Sequence, residues 1–182
     1  MKLRALIIAI ITVFTVNNAS AQHTGWQWGI DFGGVCGKTN ALHCSGYAGI
    51  SFSDMINLDV GFGLNAVTST DTKRSYGTGV PIYLRSTFYL IRERRLMPNI
   101  SFSIGPNINS KHTGIYFNGS VGATFYTSGF LTFNLNLGYS LFNTPYSEKK
   151  KIDFTETSRE GVDLIGGFYI GFGVSFCTEK YY

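Results

Sequence analysis

The segment Leu58-Asp59-Val60-Gly61-Phe62-Gly63-Leu64-Asn65-Ala66 carries a large apolar side chain or Ala at every second position, with Asp, Gly or Asn between. Successive side chains of a strand point to opposite faces, so such a segment has one apolar face and one small or polar face. The pattern recurs on both sides of it. Upstream lie Trp26, Trp28, Ile30 and Phe32, then Ala48, Ile50 and Phe52. Downstream come Val80 to Leu90, Ile100 to Ile104 and Ile115 to Phe125, then Leu131 to Leu141 and Val162 to Phe176. Together these predict eight strands, and no helical period competes between residues 22 and 182.

Composition says what the apolar face meets. Charged residues are 14% of the chain, aromatics 15%, and Gly occurs 22 times among 182 residues. Soluble domains carry about 25% charge, and a soluble barrel must coat its outside with hydrated groups. Here the non-apolar face is mostly Gly, Ser, Asn and Thr, which suits a narrow lumen filled by side chains. The expected fold is therefore all-β: an eight-stranded antiparallel up-and-down transmembrane barrel with its apolar face to lipid. Disorder is excluded by the aromatic content. A helical membrane protein is excluded because no apolar run reaches the ~20 residues a spanning helix needs.

Charges within the strands provide a second reading. Asp31, Asp59, Arg85 and Asp163 all fall on the small-residue face. They are expected to form a polar network inside the lumen, with Asp31 and Arg85 sharing it near mid-strand. Trp26, Trp28, Tyr76, Tyr89, Tyr116, Tyr126 and Tyr139 near the strand ends are expected to supply interfacial girdles.

Residues 1–21 read as a secretory signal peptide and residues 22–182 as the barrel domain. Lys2 and Arg4 precede the apolar run Ala5 to Val16, and Ala19-Ser20-Ala21 offers a cleavage pattern. Removing Lys2 and Arg4 takes the formal charge from +4 to +2. The remaining basic residues are dispersed, so no nucleic-acid partner is expected. Short connections at Ser53–Asn57, Arg92–Met97 and Tyr126–Phe130 alternate with longer ones at Gly37–His43, Val67–Gly77, Asn107–Gly114 and Phe142–Gly161. The last includes Glu148-Lys149-Lys150-Lys151, read as a solvated loop tip. Cys36 and Cys44 bracket the first long connection, where an oxidising envelope leaves them bonded or as two thiols. Cys177 falls at the opposite rim.

The stretches Tyr47-Ala48-Gly49-Ile50-Ser51-Phe52, Val80-Pro81-Ile82-Tyr83-Leu84-Arg85 and Leu137-Gly138-Tyr139-Ser140 resemble the small outer-membrane β-barrel family of the OmpA/OmpX-type size class, in its Bacteroidetes-like form. The resemblance covers residues 22–182 as a pattern rather than a motif. It implies residence in the bacterial outer membrane, contact with membrane lipid and lipopolysaccharide, and insertion by the barrel-assembly machinery. That machinery reads an aromatic C-terminal residue, which Tyr182 supplies, while Thr178 and Lys180 depart from the usual apolar signal.

Chemistry-bearing motifs are few. No Cys/His metal spacing exists, and the Gly-x-Gly pairs at 61/63 and 171/173 lack a following helix for a phosphate site. No metal and no cofactor are expected. His43-Cys44-Ser45 is similar to the His-x-Ser element of outer-membrane lipid A deacylases, but no carboxylate stands beside it to orient the base. The leading expectation is a non-enzymatic, monomeric outer-membrane barrel that supports the envelope or contacts external partners through its long loops. The alternatives are a lipid A-modifying, deacylase-like barrel enzyme and a periplasmic lipocalin-like carrier, which would need its apolar face inward.

Overall fold

The computed structural model describes residues 25–53, 55–68, 74–91, 95–110, 112–127, 130–152 and 155–178. The expected signal peptide and Tyr182 lie outside them. Nine strands run in chain order: β1 (Trp26–Gly37), β2 (Asn40–Ser53), β3 (Ile56–Thr68), β4 (Arg74–Tyr76), β5 (Val80–Tyr89), β6 (Leu96–Ile108), β7 (Thr113–Tyr126), β8 (Leu131–Ile152) and β9 (Thr155–Cys177). All but β4 form a closed antiparallel barrel, because β9 pairs with both β8 and β1. Closure leaves the wall without an open edge, which lipid would not tolerate.

The faces segregate as the period-two pattern requires. Trp28, Phe62, Leu84, Ile104, Val121 and Phe172 point outward and are exposed. Asp31, Ser45, Asp59, Thr87, Ser103, Ser120 and Ser140 point inward and are buried. An apolar exterior around a polar interior is the arrangement a bilayer solvates, and it removes the lipocalin-like carrier. The girdle expectation needs correction. Trp26, Trp28 and Tyr139 are outward and exposed, but Tyr89 and Tyr116 are buried in the lumen.

Glycine on the inward face makes room for rings. A Cβ at Gly61 would fall inside van der Waals contact with the Tyr83 ring, its cross-strand partner, and one at Gly33 or Gly171 would do so with Tyr169. Bare backbone on one strand is thus covered by an aromatic side chain, as in the aromatic rescue of strand glycines. The interior is layered as a result. Toward the rim that carries the β1–β2 turn, here called the far rim, Val35, Ala41, Tyr83, Tyr116, Phe142, Ile165 and Tyr169 pack into an apolar plug. Below it the lumen is polar.

At the far rim the expected long connections are largely strand. Lys38 and Thr39 alone separate β1 from β2, so His43 belongs to the wall. Only Asp153 and Phe154 separate the 22-residue β8 from the 23-residue β9, which rise past the barrel as a ribbon. Glu148-Lys149-Lys150-Lys151 therefore lies in a paired strand, not in a loop tip. The short β4 adds to β8 through Arg74↔Glu148 and Tyr76↔Tyr146, giving a three-stranded sheet above the mouth.

Candidate functional site: a filled lumen

Arg85 on β5 is the centre of the polar layer. Its Nη1 donates to Asp31 Oδ2 at 2.6 Å and its Nε to Asp59 Oδ2 at 2.9 Å. Register explains both contacts: Arg85 lies directly opposite Asp59 across β3–β5, and Asp31 reaches it across the lumen from β1. The guanidinium also lies over the Tyr47 ring, 3.5 Å from its centroid, a cation–π contact worth about 2 kcal/mol when desolvated. Gln27 extends the network, donating to Asp59 Oδ1 and accepting from Asn57 Nδ2 at 2.7 Å. Asp59 is fully buried and Arg85 nearly so.

A second chain of hydrogen bonds starts at His43. His43 Nδ1 lies 2.6 Å from Asn65 Oδ1, and its Nε2 lies 3.0 Å from Ser45 Oγ. The amide oxygen of Asn65 requires a donor at Nδ1, so Nε2 is the acceptor for the Ser45 hydroxyl. Tyr83 Oη donates to Ser45 Oγ at 2.9 Å. The order nucleophile, base and orienting group matches that of a serine hydrolase, with an amide where a carboxylate usually stands. Sequence reading missed Asn65 and Tyr83. Hairpin arithmetic carried the signal, since the short connection between β2 and β3 sets His43 opposite Asn65.

Space is scarce around these groups. One cavity, lined in part by Asp31, His43, Ser45 and Tyr83, holds about 20 Å³. Another of about 20 Å³ lies on the other side of Arg85, lined in part by Gln27, Tyr47 and Asn134. Each has room for about one water. Asp31 Oδ1 and Asn118 Nδ2 are buried without a protein partner, and both residues line the first cavity. Bound water would satisfy them there.

Three of the four expected network residues, Asp31, Asp59 and Arg85, therefore meet. Asp163 does not join them. It sits at the base of the ribbon, where Arg74 Nη1 donates to its Oδ2 at 3.1 Å and Tyr76 Oη at 3.2 Å. Arg74 Nε lies 3.6 Å from Glu148 as well. The height of Asp163 on the wall differs from that of the other three: it pairs with Thr144, above the last β7–β8 pair at Phe142.

Cys36 and Cys44 are both exposed and form no disulfide. The ladder explains why. Val35 pairs with Ala41, whereas Cys44 pairs with Phe32. The two thiols are thus offset by about four residues along neighbouring strands, near 13 Å at ~3.3 Å per residue, beyond disulfide reach. Among the described residues no group of three or more His, Cys, Asp or Glu side chains is placed to hold a metal ion.

No protein-family model matches the sequence, and no curated protein matches it either. Among solved structures, the chain is similar to Neisserial surface protein A, at 10% identity over 84% of this chain and 96% of that one, with a TM-score of 0.49. It is also similar to the N-terminal β-barrel domain of Pseudomonas aeruginosa OprF, at 17% identity over 83% and 96% of the two chains, with a TM-score of 0.44. A third likeness is to the translocator domain of the autotransporter NalP from Neisseria meningitidis, at 11% identity over 96% and 97%, with a TM-score of 0.29.

Proposed function

We propose that this protein is a non-enzymatic integral barrel of the bacterial outer membrane, with a lumen closed by its own side chains and a ribbon that meets partners outside the cell. The observation that carries the reading is the segregation of the wall. Large apolar side chains cover the exterior, while Asp31 and Asp59 share the Arg85 guanidinium inside. An arginine or lysine on the lipid face would cost ~2–4 kcal/mol at mid-membrane, so the wall is built for lipid. The tight turns of the near rim then face the periplasm and the ribbon faces outward.

The same reading includes cleavage of the leader after Ala21, insertion by the barrel-assembly machinery, contact with lipopolysaccharide, and a monomeric state. Its test is direct. Membrane-extracted protein should begin at Gln22, require detergent, and migrate differently on gels before and after boiling. Vesicles containing it should leak small solutes no faster than empty ones. Recovery of the protein from the soluble periplasm would refute the membrane location, and solute leakage would refute the closed lumen.

A deacylase-like enzyme is the second reading, and the Ser45–His43–Asn65 chain is the observation in its favour. The geometry supports it less well. The adjoining cavity takes about one water and the apolar plug lies above it, so an acyl chain has no path to Ser45.

A further inference from the structure

Above the plug the far rim holds a cavity of about 250 Å³, far larger than either lumen cavity. Its walls are Lys38 and Thr39 of the β1–β2 turn, Arg74 of β4, and Asp163 to Gly166 of β9. Three features of these walls are independent of one another. The first is charge. Arg74 is shared by Asp163 and Glu148, and Glu148 also has Arg159 opposite it across β8–β9, so the charge of Asp163 is only partly answered by the guanidinium. Asp163 Oδ2 takes Arg74 and Tyr76, and its Oδ1 has no partner among the described residues. Lys38 supplies a positive charge at the other wall, and forms no ion pair with a described residue.

The second feature is main chain. The β1–β9 ladder stops at Gly37↔Gly167. Thr178 N–H bonds to Trp26 O on β1, while Cys177 N–H bonds to Phe130 O on the β8 side. Backbone groups alternate along a strand, and β9 keeps one register throughout. The N–H and C=O of Leu164 therefore turn toward the side that β1 has already left. Among the described residues nothing pairs with them, and an edge of this kind accepts an added strand. The third feature is size. The cavity lies just below the ~300–1,000 Å³ of sites for drug-sized ligands, which limits an occupant to a few residues.

We infer that this cavity binds a short peptide with both termini free, of two or three residues. Its ammonium meets the spare oxygen of Asp163, its carboxylate meets Lys38, and its peptide group pairs with the main chain of Leu164. The inference goes beyond the proposed function by naming a ligand class for the far rim. It does not depend on membrane sidedness, because detergent micelles leave both rims open.

The test is a titration of the refolded mature chain in micelles, followed by backbone amide NMR. Dialanine should saturably shift the amides of Thr39 and Leu164. N-acetyl-dialanine and dialanine amide should each bind at least fivefold more weakly, and inorganic phosphate should not compete. Lys38→Gln, an exposed turn position, should weaken dialanine at least fivefold with the remaining spectrum unchanged. Leu164→Pro removes an N–H that the β8 ladder does not use, and should weaken binding similarly. The proposal is overturned by no saturable shift, by equal affinity for the blocked peptides, by competition from phosphate, which would mark a simple anion site, or by unchanged affinity in Lys38→Gln.

Discussion

The ring of Tyr83 covers Gly61, its register partner across β3–β5, while its hydroxyl donates to Ser45. One side chain thereby covers bare backbone, joins the apolar plug and ends the His43 chain. Gly61→Ala puts a methyl group into that contact. Overpacking of this kind costs about 1–3 kcal/mol. Urea titration of the barrel folded in vesicles should show a lowered midpoint, and Gly61→Ala/Tyr83→Phe should not restore it, because the ring itself is the obstacle.

Arg85 holds two carboxylates, so its loss strands both. Breaking a buried pair by removing one partner typically costs about 3–5 kcal/mol. Arg85→Met is expected to fold poorly or to unfold at much lower urea. The triple variant Arg85→Met/Asp31→Asn/Asp59→Asn should recover most of the loss. Equal stability of single and triple variants would mean that the carboxylates are not the source of the effect.

Ser45 is placed as a nucleophile would be, in a cavity that admits about one water. Fluorophosphonate probes should therefore leave it unlabelled in the folded protein. Ser45→Ala should leave lipid A acylation unchanged while lowering stability by roughly 1–3 kcal/mol, the cost of leaving buried polar groups without partners. Labelling of Ser45 in the folded state would revive the enzyme reading.

Val60 stands on the outer face at mid-strand, next in sequence to the fully buried Asp59. Val60→Arg should destabilise the protein by ~2–4 kcal/mol in a bilayer if that position lies near mid-membrane. In detergent, where the head can find water more easily, the penalty should shrink. An equal penalty in both media would argue that Val60 does not face lipid.

Cys36 and Cys44 stand apart on the outer wall. Oxidising and reducing gels of the native protein should show the same mobility. Cys36→Ser/Cys44→Ser should unfold at the same urea concentration as the parent chain. A midpoint lowered only under oxidising conditions would reveal a bond.

The wall was legible because an apolar exterior imposes a period of two on every strand that builds it. Wherever a strand crosses the apolar belt, one face must be large and apolar, and the alternation from Leu58 to Ala66 records that directly. Beyond the belt neither face has to be large and apolar, so residues 143–152 carry no such alternation and look like loop, although they are strand. The inward-facing His43 hid the start of β2 in the same way. The site was half legible for a related reason. Periodicity assigns a face, which placed Asp31, Asp59, Arg85 and Asp163 inward, but height along the barrel comes from register. Register separated Asp163 from the other three and set Asn65 beside His43.

The ribbon has a mechanical consequence. β8 and β9 cross the rim without a break, in one unshifted register from Leu131↔Phe176 to Ile152↔Thr155. About ten residue pairs project above the last β7–β8 pair, some 30 Å at ~3.3 Å per residue. No hinge separates this mast from the wall beneath it. A pull at its tip therefore loads both ladders in shear, and every hydrogen bond along them shares the force. The far end behaves less like a loop waiting to be ordered than like a stiff post anchored along the full height of the barrel wall.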